Sequence, residues 1–377
     1  MTDTMSAIGN GYTLFRSQLS GLRLPEGCKV QRNMPLAKEK RDAVYEVNFD
    51  SRTLVYDALQ TPERISLFCP RLLNLWPVLR DGLRLDGVPV TVRRHRYLRF
   101  ERLDLPKGAK GELSVMIEGQ TLPLVRHKAQ PDLFAGRNVL IAMVKDTPAD
   151  WIIDWAKYHV SVHGAQGLVL LNNGSAPAFI DDLLARLIPE TGLEVATVVD
   201  CPFPYGGKAG GRFVAPAKYL QVAMLNLMRA RFLGQARAIL SVDVDEFVRP
   251  VARNGDVQTI FDMAQATRLG CVSFTGAWAF APEADGPQLQ RSHTHTDPAH
   301  PCSIPKWCMV PGSLADRFVL AVHRPAGPLF RFTHSAQVGY WHFRATTTGW
   351  KSQRFRQPLK GALDVELQKT LDAHLGL

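Results

Sequence analysis

The stretch ARAILSVDVDEFV, residues 236–248, decides how this chain is read. Residues 238–242 form an apolar, strand-sized run that leads straight into Asp243, Val244 and Asp245, with Glu246 and Phe247 behind them. Two carboxylates so close repel each other unless a cation or a proton relieves them. Hard oxygen ligands at the mouth of a sheet suit Mg2+ or Mn2+, with the remaining positions left to water and phosphate oxygens. A cation held there would neutralise a leaving nucleoside diphosphate. A bare Asp-x-Asp is more often a solvated turn after a strand, so the surrounding sequence has to supply the rest of the case.

Upstream, the pattern alternates. Residues 138–144 read as an apolar strand, and 150–163 as a helix with Trp151, Ile152, Trp155 and Val162 at helical spacing. A second strand covers 167–171 and ends in Asn172-Asn173-Gly174, a helix covers 180–187, and a third strand covers 193–199 before Asp200. A Gly-rich loop at 206–211 precedes a helix expected over 215–232. The loop lacks the Lys-Ser/Thr ending of a P-loop. Strands alternating with helices predict an α/β fold, with a mainly parallel sheet and helices on both faces. Such sheets bind ligands outside the carboxyl ends of their strands. That singles out the polar residues Lys145, Asp146, Asn172, Asn173, Asp200, Asp243 and Asp245.

The region before residue 135 has a different period. Short β-prone runs at 43–49, 89–93, 97–100 and 112–118 lie between turn signals such as Asp86-Gly87, with a short helix expected within 69–80. The expected organisation is an N-terminal segment (1–40), a small mostly-β, mainly antiparallel domain (41–135), the α/β domain (136–360), and a C-terminal helix or tail (361–377).

Of the 377 residues, 46% are hydrophobic and 21% charged, enough for a large core. The net charge of +10 favours anionic partners: nucleotide diphosphates, anionic lipid or acidic glycans. No helix-turn-helix or RNP-like motif is present, so nucleic acid is not an expected partner. The six cysteines show no CxxC pair and read as reduced thiols. With no leader-like start and no membrane-length apolar run, the expected location is cytoplasmic, with peripheral contact at the inner face of an anionic membrane left open. The stretch with His293, His295, His300 and Asp297 reads as a solvated loop, and His159 and His163, four apart on a helix, as surface or satisfied polar groups. The run 93–96, Arg-Arg-His-Arg, reads as a solvated strand face or a contact with an anionic surface.

The segment 236–248 resembles the signature of a bacterial glycosyltransferase-2-like group related to glycosyltransferase family 92, in which an apolar strand ends in DVDEF. Other segments are similar to that group as well. They are Val144-Lys145-Asp146 with Trp155, Tyr158 and His159; VLLNNGS at 169–175; Gln221; Lys306 onward; and Tyr340-Trp341-His342-Phe343 followed by Trp350-Lys351. The resemblance covers roughly 139–356, with Asp146 where the group usually has Asn and Asn173 where it often has Asp.

The resemblance implies a GT-A fold, a nucleotide-diphospho-sugar donor, Mn2+ or Mg2+, and inversion at the anomeric carbon onto a glycan or lipid-linked acceptor, as in surface polysaccharide synthesis. Val144, Lys145, Asp146, Asn172, Asn173 and Asp243 would bind the donor. Asp243, Asp245 and His342 would form the metal site. Inversion needs a base near the acceptor hydroxyl, and Glu283 and Asp285 are the candidates. The rival readings are a non-catalytic scaffold or nucleotide-binding protein, and a DxD phosphatase. The phosphatase would place its motif on the first strand of the domain, and here three strands precede it.

Overall fold

The computed structural model describes residues 4–8, 12–41, 43–207, 218–253, 256–282, 288–344, 346 and 361–376. The chain divides into two compact units. One comprises Met1–Ser17, Asp132–Asp200 and Leu233–Leu377, the other Gln18–Pro131 and Cys201–Phe232. Among the described residues no helix is long and apolar enough to cross a membrane, and all six cysteines are free thiols.

The larger unit is built on an 11-stranded mixed sheet. Its centre is parallel, as expected. β1 (Asn138–Val144) lies between β2 (Gly167–Asn172) and β4 (Ala238–Ser241), and β3 (Val195–Asp200) flanks β2. All seven residues of β1 are buried, the pattern of a parallel strand covered on both faces, which explains its unbroken apolar sequence. Helix α1 (Ala149–His163) follows β1, and α2 (Pro177–Thr191) follows β2 and packs on α1. Two further helices, α3 (Ile260–Ala266) and α4 (Val365–Leu375), complete this layer and share its core with Leu140, Leu170, Trp155 and Phe247.

Beyond β4 the sheet turns mainly antiparallel. β5 (Glu246–Val248), β6 (Cys271–Phe280), β7 (His295–Met309) and β8 (Tyr340–Phe343) extend it in the order β4-β7-β6-β8-β5, with β6 and β8 paired parallel. Register shifts between Phe274 and Gly276, and between Ala277 and Ala279, mark bulges in β6. Bulges bend a strand, and the far half of the β6–β7 hairpin carries β8 and then β5. A Cβ at Gly276 would lie 2.5 Å from the Tyr340 carbonyl, so only glycine lets β8 approach here. The acidic turn 242–245 is the short link between the parallel centre and this bent part.

The second unit contains a five-stranded sheet, a four-stranded sheet and the small pair Leu22–Arg23 with Thr53–Val55, mainly antiparallel, around Leu67, Leu79, Leu103 and Val115. Asp57, fully buried, accepts from Ser20 Oγ (2.7 Å) and lies 2.8 Å from His127 Nδ1 and 3.5 Å from Arg231, so an ionic core ties the segment 201–232 into this unit. Three expectations change here. Residues 43–49 form a helix, Ala43–Asn48, not a strand. Tyr45 and Phe49, four apart, are buried and stack at 5.8 Å, a period of four that a short window also lets pass as alternation. Residues 97–100 are the turn of a hairpin, closed by the Tyr97 N–H donating to the Phe100 carbonyl (3.0 Å). The expected helix over 215–232 begins at Leu220 and runs as an α-helix to Met228 and a π-helix over Arg229–Leu233, with 208–217 outside the described residues.

Candidate metal and donor site

Parallel pairing brings the strand ends to one edge. Val144, Asn172 and Asp200 are lateral partners in register, and Ile141 pairs with Ser241. The chain leaving β4 therefore carries Asp243 and Asp245 to the same edge. Asp146 sits at φ 49°, and its N–H donates to Ser175 Oγ (2.8 Å) while its carboxylate accepts from the Ala176 N–H (2.9 Å). Asn172 donates to Asp200 (2.7 Å) and accepts from the Ser175 N–H (2.9 Å), and the Asn173 N–H donates to the Val144 carbonyl (2.8 Å). These side chains hold the loops after β1 and β2 against each other. Val144 is buried, and Lys145 lies at the start of the loop.

The acidic turn is organised around a lysine. Lys306, on β7 and only 1% exposed, places Nζ 2.7 Å from Asp243 Oδ2 and 2.7 Å from Glu246 Oε2. Glu246, equally buried, also accepts from the Asp243 N–H (2.8 Å). Burial holds its carboxyl above the usual carboxylate range, with Lys306 opposing. Burial pulls the Lys306 ammonium down, but Asp243 and Glu246 outweigh it and keep it charged. Asp243 is thus half of a fixed ion pair and Glu246 the brace of the turn.

His342 faces the other acid. β8 pairs with β5 so that His342 stands opposite Glu246. Its Nε2 lies 3.3 Å from Asp245 Oδ2, and its Nδ1 lies 3.5 Å from Cys302 Sγ and 3.8 Å from Glu246 Oε1. Burial alone would lower the imidazole pKa, but Asp245, Cys302 and Glu246 raise it to about 10. The ring stacks on Trp278 at 4.3 Å, and the Arg344 guanidinium lies 4.1 Å from the same indole. Ligand atoms of Asp245, Glu246 and His342 lie within 4.8 Å of one another, the one such group among the described residues. Two carboxylates and one imidazole suit Mn2+, which accepts nitrogen beside oxygen, and also allow Mg2+ with more water. Of the sequence candidates, the structure brings Asp245 and His342 together and sets Asp243 against Lys306. Glu283, Asp285, Trp350 and Lys351 lie outside the described residues, as do 208–211 of the Gly-rich loop.

Two supports brace the turn: Gln290, which no spacing singled out, and the His159–His163 pair, whose reading as satisfied polar groups holds. Gln290 is fully buried, and its amide donates to the carbonyls of Val244 (3.2 Å) and Trp151 (2.9 Å), pinning the centre of the acidic turn to α1. Its neighbours Arg291 and His293 bond Asp154 and the Arg344 carbonyl. His293 is buried and 295–309 is strand, so this stretch is not a loop, although 298–301, His300 included, are exposed as expected. The His159–His163 pair holds the other end of the turn. His159 Nδ1 donates to the Trp155 carbonyl (2.8 Å), and its Nε2 accepts from the Val248 N–H (3.3 Å). His163 Nε2 and the Tyr158 hydroxyl donate to the Val248 carbonyl at 2.9 and 2.8 Å. Both imidazoles are fully buried and satisfied as neutral tautomers, and burial lowers their pKa values to about 3 and about 4. The WxxYHxxxH helix therefore clamps the strand that follows Asp245.

No known protein family matches the chain by sequence profile, and no curated protein matches it. Among solved structures it is similar to core-mannan synthase A from Aspergillus fumigatus in its Mn/GDP form, with 11% identity over 43% of this chain and 46% of that one and a TM-score of 0.25. It is also similar to GalNAc-T7 with UDP, GalNAc and Mn2+, with 9% identity over 67% and 58% of the two chains and a TM-score of 0.27. The chain spans about half the length of these proteins. Scores this low transfer no residue role.

Proposed function

We propose that this chain is a metal-dependent glycosyltransferase of GT-A type that inverts a nucleotide-diphospho-sugar onto a glycan or lipid-linked acceptor. The observation that carries the reading is the clustering of Asp245, Glu246 and His342 beside a lysine-paired Asp243, at the carboxyl edge of a parallel sheet. Asp245 and His342, with Glu246 behind them, would hold Mn2+ or Mg2+, which when bound supplies counter-charge to the leaving diphosphate. Asp243, fixed by Lys306, presents a carboxylate for the ribose of the donor. The loops after β1 and β2, held by Asp146, Asn172 and Asn173, form the wall for the nucleoside, with Val144 at its base and Lys145 on its rim.

In the reaction, the acceptor oxygen forms a bond to the anomeric carbon from the face opposite the leaving group. The bond from that carbon to the phosphate oxygen breaks, and the nucleoside diphosphate departs with the electron pair. The acceptor proton passes to a carboxylate, for which Glu283 and Asp285 remain the candidates. Thermal melts with and without Mn2+, in the presence of UDP or GDP, test the binding half. A metal-dependent rise with one nucleotide is expected, and a screen of nucleotide-sugars for metal-dependent hydrolysis then identifies the donor. No metal-dependent response to any nucleoside diphosphate, and no hydrolysis of any donor, would refute the reading.

A further inference from the structure

The second unit carries a surplus of positive charge that the catalytic reading does not use. Strands Arg93–Arg96 and Glu101–Asp104 form a hairpin in which Arg93 stands opposite Asp104 and His95 opposite Arg102. Asp104 is buried, and around it gather Arg64 (3.3 Å), Arg102 (2.9 Å) and His95 (3.1 Å). Burial raises the Asp104 carboxyl, but Ser66, Arg102 and His95 overcome it and hold it below its ordinary value. Glu63 is the other carboxylate in contact with Arg64. Arg93 and Lys107 are exposed and take part in no ion pair among the described residues. Among the described residues, Arg64 pairs with Asp104 and Glu63, Arg102 with Asp104, and Arg93 and Lys107 with no carboxylate.

This surplus surrounds a recess. A cavity of about 440 Å3 is lined by Arg64, Arg93 and Lys107, with Asp104 and Leu105 among its walls. Its chemistry selects a phosphate-class anion: cations from separate elements converge, and the carboxylate within reach is already neutralised. At the other end of the hairpin the turn projects Leu98, which is 70% exposed, next to exposed Arg96. A large apolar side chain at a turn tip beside a cation suits the boundary between headgroups and acyl chains. The tip lies about 13 Å from Arg93 along the strand, so a hairpin lying on a membrane presents both features at once.

We infer that this basic hairpin docks the protein on an anionic phospholipid surface, with a headgroup phosphate in the cavity of Arg64, Arg93 and Lys107 and Leu98 inserted beside it. The inference stands on the second unit alone and does not depend on the glycosyltransferase reading. The test is sedimentation of the full chain with vesicles of phosphatidylcholine, with or without phosphatidylglycerol. Binding should require the anionic lipid and fall steeply with salt. A cation near such a surface is worth about fivefold in partitioning, so Arg93→Ala and Lys107→Ala should each weaken binding by about that factor. Leu98→Ser should weaken it by roughly tenfold, with melting temperatures unchanged in all three variants. Equal binding to neutral vesicles, full binding by the Arg93→Ala/Lys107→Ala/Leu98→Ser variant, or binding to a soluble acidic polysaccharide without any to vesicles would each overturn the proposal.

Discussion

Replacing Lys306 with methionine tests the division of labour in the acidic turn. The substitution keeps the apolar stem but removes the ammonium 2.7 Å from both Asp243 and Glu246. Lys306 and Glu246 are each 1% exposed, so water cannot take its place. Removing one partner of a buried pair costs about 3–5 kcal/mol. The Asp243 side chain is 30% exposed and recovers part of this through hydration, so a loss of about 3 kcal/mol is expected. At about 2–4 °C per kcal/mol for a body of this size, the metal-free variant should melt about 6–12 °C below the parent. Mn2+ should have the opposite sign of effect. A dication and an ammonium one carboxylate apart, roughly 6 Å, repel by several kcal/mol even at an effective dielectric of 20. The variant should therefore bind Mn2+ at least about tenfold more tightly and regain more of its melting temperature from it. Scanning calorimetry with and without Mn2+, paired with titration calorimetry, reads both quantities. A metal-free melt within about 2 °C of the parent, or unchanged Mn2+ affinity, would refute the assignment of Lys306 as the counter-charge of the turn.

Asp245→Asn should cut donor turnover by roughly three orders of magnitude or more, and the metal-free melt should fall, because the buried His342 imidazolium loses its nearest counter-charge at 3.3 Å. Near-normal turnover would remove Asp245 from the metal site. Gln290→Leu should raise the Mn2+ concentration needed for half-maximal turnover several-fold, since Val244 loses its donor; an unchanged metal requirement would make Gln290 a packing residue only. Acid should destabilise the fold through His159 and His163. Their folded pKa values of about 3 and about 4 lie below the ordinary 6.5, so the unfolded chain binds protons first. Their contribution is complete above pH 6.5 and is lost as pH falls toward 4, at about 1.4 kcal/mol per pH unit for each imidazole. Urea unfolding at pH 7 and pH 5 measures this loss, and equal stability at the two values would count against buried neutral histidines.

The parallel centre was legible because burial on both faces forces unbroken apolar runs, as in residues 138–144, and because Asp243 follows such a run directly. Partners brought in by the antiparallel return were not. Lys306 lies 63 residues from Asp243, and no local period marks it as a counter-ion. Gln290 acts through backbone carbonyls, which leave no trace in the sequence of Val244 or Trp151. His342 was visible through its aromatic flanks, though not its distance from Asp245 or its contact with Cys302. The helix at 43–48 was misread because two apolar residues four apart also satisfy alternation in so short a window.

The hold of α1 on Val248 has a consequence for how this molecule meets its own copies. β5 is the last strand of its sheet, and it is joined to β8 through Phe247, so the N–H and C=O of Val248 point to the open side. Those are the groups a foreign strand would use to add itself to the sheet. Three side chains already occupy them, from Tyr158, His159 and His163. The sheet is therefore terminated here by side chains of α1, with Pro250 just beyond the strand. Two copies cannot zip together along this margin unless the helix first lets go.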